Sequence, residues 1–322
     1  MTTGRRPVVA GVENSAAGMI AVTWAADEAA RHALPLRLVH ASEWPAGPAE
    51  APDGTRASRH GPLHATHAFD WTTETYPDAG VPVPRRSWAE RRHEADEALL
   101  DKARTVATTR RPGLEVSTAT IEGRPVDVLR LEARDAAILV LGSRRLSALT
   151  ELLTTGSIAV PLSAHAPCPV AVVRGPEPAA GVPQTVVVGI DGSPGCEHAV
   201  GYAFETASLR GATLQAIQVR PPTANMVAAF GSEDEVEEAQ IRLSETLAGW
   251  SEKYPDVPVD RVTVLGHRVR ALADAAQDAL CLVVGTRGVG GFRGMLLGSV
   301  SQGLIHHAPG PLVIVPHKDD TR

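Results

Sequence analysis

Short apolar runs alternate with longer amphipathic stretches along the whole chain. In the second half, runs of strand length lie at 185–190, 213–219, 259–264, 280–284 and 311–315. Stretches with helical spacing of apolar residues separate them, at 194–210, 233–254, 269–279 and 299–307. The first half follows the same order, with strands predicted at 7–12, 36–41, 115–121, 137–141 and 169–173. Continuous apolar strands that alternate with helices are typical of a parallel sheet with helices on both faces.

The chain also repeats itself. Residues 8–15 (VVAGVENS) match residues 186–193 (VVVGIDGS), and HAPCPV in the first half matches HAPGPL in the second. Because the repeat has the length of a domain, we predict two tandem doubly wound α/β domains, each with a five-stranded parallel sheet. The predicted boundaries are 1–176 for the first domain, 177–183 for a linker rich in proline and alanine, and 184–322 for the second domain.

A glycine-rich loop follows the fourth predicted strand of the second copy. Residues 281–301 read CLVVGTRGVGGFRGMLLGSVS, in which Gly285, Gly288 and the Gly298-Ser299 pair have the spacing G-x2-G-x9-G-[S/T]. Residues without a Cβ atom let a polyanion approach the backbone closely. Successive amides then hold an anion together with the first turn of the helix that begins at Ser299. The spacing therefore indicates a site for the phosphate chain of a nucleotide.

Charge, cysteine content and hydropathy argue against several other classes of protein. A net charge of −6 is not typical of a general nucleic-acid-binding protein. The three cysteines are too few and too dispersed for a disulfide framework or a zinc site. No apolar run approaches the ~20 residues needed to span a bilayer, and the N-terminal apolar stretch is too short for a secretion signal. We expect a cytoplasmic protein without membrane or nucleic-acid partners.

The first copy carries a long insert at residues 44–86. It is rich in Pro, Gly, His and Ala and has neither a helix nor a strand period, so a loop is predicted. Its histidines, His60, His64 and His67, have a ligand-like spacing, but Gly61-Pro62 would break the helix that brings them to one face. A lid over a neighbouring site is a more attractive interpretation than a metal site.

The chain resembles the universal stress protein family, in its tandem two-domain form. The resemblance is carried by VVVGIDGSP at 186–194, by LVVGTRGVGGFRGMLLGSVSQGLIHHAPGPLVIV at 282–315, and by their counterparts in the first copy. It covers the chain apart from residues 44–86 and the termini. The resemblance implies an adenine nucleotide alpha-hydrolase-like fold, and it implies ATP or another adenine nucleotide held without a Walker A lysine.

The resemblance also implies roles for residues of the second copy. Asp191, after Ile190 at the end of the first strand, would lie near the ribose and near any Mg²⁺ on the phosphates. The backbone of Val219 would read the edge of the adenine. The phosphates would be held by Gly285, Gly288, Gly298, Ser299, Val300 and Ser301, with charge added by Arg287 and Arg293. The alternatives are that Asp191 caps the helix near residue 194, that the glycines serve packing alone, and that the arginines are merely solvated.

The first copy departs from this pattern. Glu13 replaces the aspartate, and Arg145 stands where the second glycine belongs, so a Cβ atom crowds the path of the anion. One additional residue separates Gly142 from Gly156-Ser157, which would move the amides out of register. We expect the first copy to bind nucleotide weakly or not at all.

The leading functional hypothesis is a nucleotide-binding regulatory protein of the stress response. No G-x-S-x-G, HExxH or CxxC motif appears, so no catalytic residue is predicted and we expect no enzyme. Two alternatives remain: a slow ATPase or nucleotide-dependent transferase that relies on Asp191, and a nucleotide-free interaction module. The fifth strands of the two copies are expected to pair with each other, and a homodimer is expected in addition.

Overall fold

The computed structural model describes residues 5–43, 85–143, 157–175, 177, 184–193, 196–220, 233–288 and 297–317. Several predicted features lie outside these ranges. They are the insert histidines His60, His64 and His67, the first-copy residues Arg145 and Gly156, the loop residue Arg293, and the linker apart from Glu177.

The first domain has the predicted order of strands and helices. Its strands are β1 (Val8–Gly11), β2 (Leu36–Ser42), β3 (Val116–Glu122), β4 (Ile138–Gly142) and β5 (Val170–Val173). Its helices are α1 (Ala16–Arg31), α2 (Arg85–Arg110), α3 (Pro125–Glu132) and α4 (Ala159–His165), and a 3-10 turn at Ala133–Asp135 follows α3.

The second domain repeats this order. Its strands are β6 (Thr185–Ile190), β7 (Thr213–Arg220), β8 (Val259–Leu265), β9 (Cys281–Gly285) and β10 (Leu312–Val315). Its helices are α5 (Cys196–Arg210), α6 (Glu233–Lys253), α7 (Arg268–Ala275) and α8 (Ser299–His307). Within the described ranges, no helix combines the length and the apolar character needed to cross a membrane.

Most element boundaries differ from the sequence prediction by one or two residues, and two of the differences have a local explanation. The insert was predicted to be a loop up to residue 86, but α2 already begins at Arg85. Pro84 directly precedes that residue, and a proline is tolerated at a helix start because no hydrogen bond needs its missing N–H. The helix predicted over 269–279 ends at Ala275, since residues 276–278 form a turn that leads into β9.

All ten strands of the described ranges belong to one sheet, in the order β3-β2-β1-β4-β5-β10-β9-β6-β7-β8. Neighbouring strands within each domain run parallel, which confirms the predicted α/β class. Strands β5 and β10 pair antiparallel, with Leu312 opposite Val172, so the two five-stranded halves join edge to edge. The expected pairing of the fifth strands is therefore confirmed. It covers the edge of β5 and the edge of β10, which the separate halves would expose.

The hydrophobic core has one layer on each face of the sheet, and both layers extend across the two domains. Val8 belongs to one layer and Val9 to the other, because successive side chains of a strand point to opposite faces. The first layer contains Trp24 of α1 and Phe204 of α5. The second layer contains residues of α3, α4, α7 and α8. The domains therefore share their apolar core.

A buried network of charged side chains joins the domains where α1 and α5 end. Glu28 accepts hydrogen bonds from Arg31 at 3.1 Å and from Arg210 at 2.9 Å. Glu177 accepts from the same two arginines at 3.1 and 2.7 Å, and His32 Nε2 lies 3.1 Å from Glu28. The side chains of Arg210 and Glu28 are only 4% and 2% exposed. Burial alone would raise the pKa of Glu28, but the hydrogen bond with His32 and the neighbouring positive charges lower it to about 2.

Candidate functional site

The carboxyl ends of β6, β7 and β9 meet at one place in the second domain. Strand β6 lies between β9 and β7, so the chain leaves β6 toward one side and later returns to its other side. Ligands of doubly wound sheets bind in the crevice at such a reversal of strand order. Here the crevice is a cavity of about 380 Å³, a volume within the range of small-molecule sites.

The structure brings all of the predicted second-domain residues that it describes together around this cavity. They are Ile190, Asp191, Val219, Gly285, Arg287, Gly288, Gly298, Ser299, Val300 and Ser301. Six further lining residues were not predicted from the sequence: Gly189, Cys196, Ile217, Arg268, Leu272 and Val284. Ile217 and Val284 lie in strands that were predicted, so strand periodicity alone would have placed them at this edge. Nothing in the sequence indicates that α7 folds back over the cavity with Arg268 and Leu272.

Hydrogen bonds hold the two ends of the glycine loop together. The amide of Gly298 donates to the carbonyl of Thr286 at 2.7 Å, although the two residues are twelve positions apart. The buried hydroxyl of Ser301 donates to the carbonyl of Gly285, also at 2.7 Å. A Cβ atom at Gly298 would lie 3.3 Å from the Thr286 carbonyl, so a glycine suits this closure. The first turn of α8 is therefore fixed beside the end of β9.

Gly288 and Asp191 are in direct contact. A Cβ atom at Gly288 would collide with Oδ2 of Asp191, so the absence of a side chain allows the carboxylate to lie against the loop backbone. The other oxygen, Oδ1, accepts a hydrogen bond from the amide of Ser193 at 3.0 Å. Helix α5 starts at Cys196, whose amide donates to the carbonyl of Ser193. Asp191 thus orders the turn before α5 while its second oxygen faces the glycine loop.

One end of the cavity is apolar. Ile217 and Val219 of β7, Leu272 of α7 and Val284 of β9 line it. Gly189 allows these side chains to close in, since a Cβ atom there would meet Leu272 at 3.2 Å and Val284 at 3.3 Å. An apolar wall beside the exposed end of a strand suits a flat aromatic ring that also needs backbone hydrogen bonds.

The other end combines backbone amides, hydroxyls and positive charge. Ser299, Val300 and Ser301 form the first turn of α8, where amides without intrahelical partners give the helix its positive end. Arg287 and Arg268 are exposed on the rim of the cavity. Asp191 is the one carboxylate among the lining residues that the structure describes, so the charges of these side chains favour an anion.

Helices α7 and α8, which both line the cavity, pack tightly against each other. A Cβ atom at Gly303 of α8 would lie 2.7 Å from Cγ2 of Val269 in α7. Since only a glycine permits this approach, the contact fixes the distance between the apolar end and the α8 end of the cavity.

The described residues supply few groups for catalysis or for metal binding. They contain no cluster of three or more histidine, cysteine or acidic side chains that could hold a metal ion. Cys196 lines the cavity, but burial raises the pKa of its thiol to about 11, so the thiol is protonated at neutral pH and a poor nucleophile. Asp191 remains as the lining group that can accept a proton or contact a metal ion.

The equivalent residues of the first domain are arranged differently. The hydroxyl of Ser15 donates a hydrogen bond to the carboxylate of Glu13. It also accepts a hydrogen bond at 3.0 Å from the amide of Gly18, and this second bond caps α1. Gly142 lies against the first turn of α1, where a Cβ atom would meet the carbonyl of Ala17 at 2.9 Å. Ser157 is exposed near the start of α4.

These features define a tandem α/β protein of the adenine nucleotide alpha-hydrolase-like class. Residues 53–174 and residues 183–316 each match the family model described as "Universal stress protein family". Universal stress protein Rv2005c of Mycobacterium tuberculosis is 35% identical over 315 residues, covering 95% of this chain and 96% of that protein. Universal stress protein Mb2028c of Mycobacterium bovis matches equally well. The chain belongs to the universal stress protein family.

A solved structure shows the same fold. A universal stress protein from Archaeoglobus fulgidus aligns with a TM-score of 0.67 over 98% of both chains, at 16% sequence identity. The tandem arrangement of two α/β domains therefore recurs in a protein whose sequence has diverged widely.

Proposed function

We propose that the second domain binds an adenine nucleotide, ATP in the first place, and that its occupancy regulates the protein. The observation that carries this proposal is the composition of the cavity beyond β6, β7 and β9. One end is an apolar wall, and the other end combines a glycine loop with the first turn of a helix. An adenine nucleotide has the matching distribution, with a flat base at one end and negative charge at the other.

Each part of the nucleotide would meet a different element. The base would lie against Ile217, Leu272 and Val284, with its edge at the backbone of Val219. The ribose would pass Asp191. The phosphates would contact the amides and hydroxyls of the loop and of α8, with Arg287 on the rim.

A magnesium ion on the phosphates fits this arrangement. Mg²⁺ in phosphate-binding sites is commonly held by one or two carboxylates together with the phosphates. Oδ2 of Asp191 faces the loop and would supply such a ligand. The ion would neutralise part of the charge of the phosphate chain.

The proposed role is regulatory. Cys196 is a protonated thiol and therefore a poor nucleophile, and Asp191 is the one carboxylate among the described lining residues. A nucleotide changes a protein's conformation or association only if it binds the two states with different affinities. Since the fifth strands already pair within the chain, a homodimer would use another surface.

The test is a pair of matched carboxylate variants. Asp191→Ala removes the group near the ribose and the ion, and Glu13→Ala removes its first-domain counterpart. Calorimetry with ATP and Mg²⁺ should show a loss of about tenfold or more for Asp191→Ala, because hydrogen bonds to charged groups contribute about 1.5–3 kcal/mol. Glu13→Ala should bind as the unaltered protein does.

Three outcomes would contradict parts of the proposal. Absence of ATP binding, and of any nucleotide in mass spectra of the purified protein, would favour a nucleotide-free interaction module. An equal loss in both variants would contradict the assignment of the site to the second domain. Phosphate release above background that disappears in Asp191→Ala would favour a slow ATPase.

A further inference from the structure

Helix α8 connects the proposed nucleotide site with the first domain. Its first turn, at Ser299, lines the cavity. Its C-cap is Ala308, whose amide donates to the carbonyl of Leu304. The carbonyl of Ala308 accepts a hydrogen bond at 3.0 Å from Nη1 of Arg174, a residue of the first domain. One domain thus supplies a positive side chain to the C-terminal end of the helix whose N-terminal end faces the cavity of the other.

The strand pairing between the domains produces this contact. In the antiparallel register of β5 and β10, Val172 lies opposite Leu312. Arg174 follows the end of β5, so it lies beside the segment that links α8 to β10. The guanidinium is partly buried there, where solvent screens its interaction with the helix less than at an exposed site.

At the equivalent pair of described residues, this contact has no counterpart in the opposite direction. The repeat aligns Arg174 with Pro316 and aligns Ala308 with Ala166, the C-cap of α4. A symmetric arrangement would require a donor at position 316 for the carbonyl of Ala166, and proline has no such side chain. The first domain therefore supports the second domain's cavity helix, whereas the reverse support is lacking at this pair.

We propose that Arg174 is a positioning residue for the nucleotide site of the second domain, an inference that rests on the proposed function. A cation at the C-terminal end of a helix stabilises the negative end of its dipole, and the hydrogen bond fixes the last turn. An ordered α8 keeps the amides of Ser299 and Val300 in place for the phosphates. The first domain, whose own loop departs from the pattern, thus contributes to binding in the second.

The test compares two arginines that make the same kind of bond. Arg174→Ala removes the bond to Ala308. Arg5→Ala is the matched control, because Nη1 of Arg5 donates at 3.0 Å to the carbonyl of Ala33, just beyond the end of α1. Arg174→Lys restores a charged donor. Affinities for ATP and for adenosine, which has no phosphate, are measured for each full-length variant, together with amide exchange of residues 299–308.

We expect Arg174→Ala to weaken ATP binding about three- to tenfold, the effect of one hydrogen bond and one helix-end charge. Adenosine binding should stay unchanged, exchange in α8 should accelerate, and Arg174→Lys should recover part of the affinity. Arg5→Ala should behave as the unaltered protein. A loss of thermal stability alone would not produce this dependence on phosphate.

Three results would overturn the inference. If the unaltered protein binds ATP and Arg174→Ala binds it equally well, Arg174 is structural and the proposed function stands. An equal loss for ATP and adenosine would likewise show general destabilisation of the domain. If the unaltered protein binds no nucleotide, the proposed function fails and the inference fails with it.

Discussion

The interdomain charge network predicts a large effect of a small substitution. Glu28→Gln keeps the shape of the side chain but removes its charge. Arg210, which is 4% exposed, pairs with the carboxylates of Glu28 and Glu177. In the variant, Glu177 would be the one of these two carboxylates that remains. A buried charge that loses its partner cannot regain the hydration that it gave up on folding.

The expected magnitude follows from the electrostatics of Glu28. Its pKa falls from the ordinary 4.5 to about 2, which corresponds to about 3 kcal/mol of preference for the charged form. Removal of one partner from a buried ion pair typically costs about 3–5 kcal/mol. The free energy of unfolding should therefore fall by about 3 kcal/mol in Glu28→Gln at neutral pH.

Urea unfolding monitored by circular dichroism measures this loss. Glu97→Gln is the matched control, since Glu97 pairs with His93 on the surface, where both side chains are more than 60% exposed. Its effect should stay below about 1 kcal/mol. In an Arg210→Met background, the additional cost of Glu28→Gln should shrink, because less positive charge is left without a partner.

The lowered pKa of Glu28 also predicts a pH dependence of the stability. Because the folded-state pKa of Glu28 is lowered, its contribution is complete above pH 4.5 and disappears as the pH falls toward about 2. The gap between the unaltered protein and Glu28→Gln should close over that interval. If Glu28→Gln is as stable as Glu97→Gln at neutral pH, the network contributes little and the argument is wrong.

Other expectations concern separate parts of the molecule. The hydrogen bond to Glu28 raises the pKa of His32, so the contribution of His32 to stability is complete below pH 6.5 and is lost as the pH rises through the folded-state pKa. As the pH rises above 6.5, the free energy of unfolding of His32→Gln should therefore fall less than that of the unaltered protein. Gly201→Ala should lower the melting temperature because its Cβ atom would meet Trp250 at 2.5 Å, whereas Gly249→Ala, in open space within α6, should raise the stability by about 0.5–1 kcal/mol. Thiol reagents should label no described cysteine in the native protein and all three in urea, since burial raises the thiol pKa values to about 11 or 12 at Cys168, Cys196 and Cys281.

The two domains are related by an approximate twofold arrangement but are not equivalent. Residues of both contribute to each apolar layer, and β5 pairs with β10 across the junction. Two contacts break the symmetry. Arg174 reaches α8 while Pro316 stands at its counterpart, and Glu28 of α1 pairs with Arg210 of α5. We expect the chain to unfold as one cooperative unit, because separation of the domains would expose the shared core and the network.

The sequence by itself determined the strands, the helices of the second copy to within a few residues, and the two ends of the glycine loop. These features depend on neighbours along the chain: apolar runs specify strands that are buried on both faces, and glycines at fixed spacing specify where the backbone is open. The predicted cavity residues follow strand ends or begin a helix, and parallel strands must bring such positions to one edge. For the same reason α8 was predicted with its observed bounds, Ser299–His307.

Only the tertiary structure decided how distant segments meet. Arg268 and Leu272 reach the cavity because α7 packs on α8 through Gly303, and no local pattern encodes that contact. Arg174 donates a hydrogen bond to Ala308, more than a hundred residues away, because the register of β5 and β10 brings the two residues together. Glu28 pairs with Arg210 of the other domain, and no local pattern encodes that pairing. Residue type and period fix local conformation, whereas a pairing across the fold depends on packing that the chain adopts as a whole.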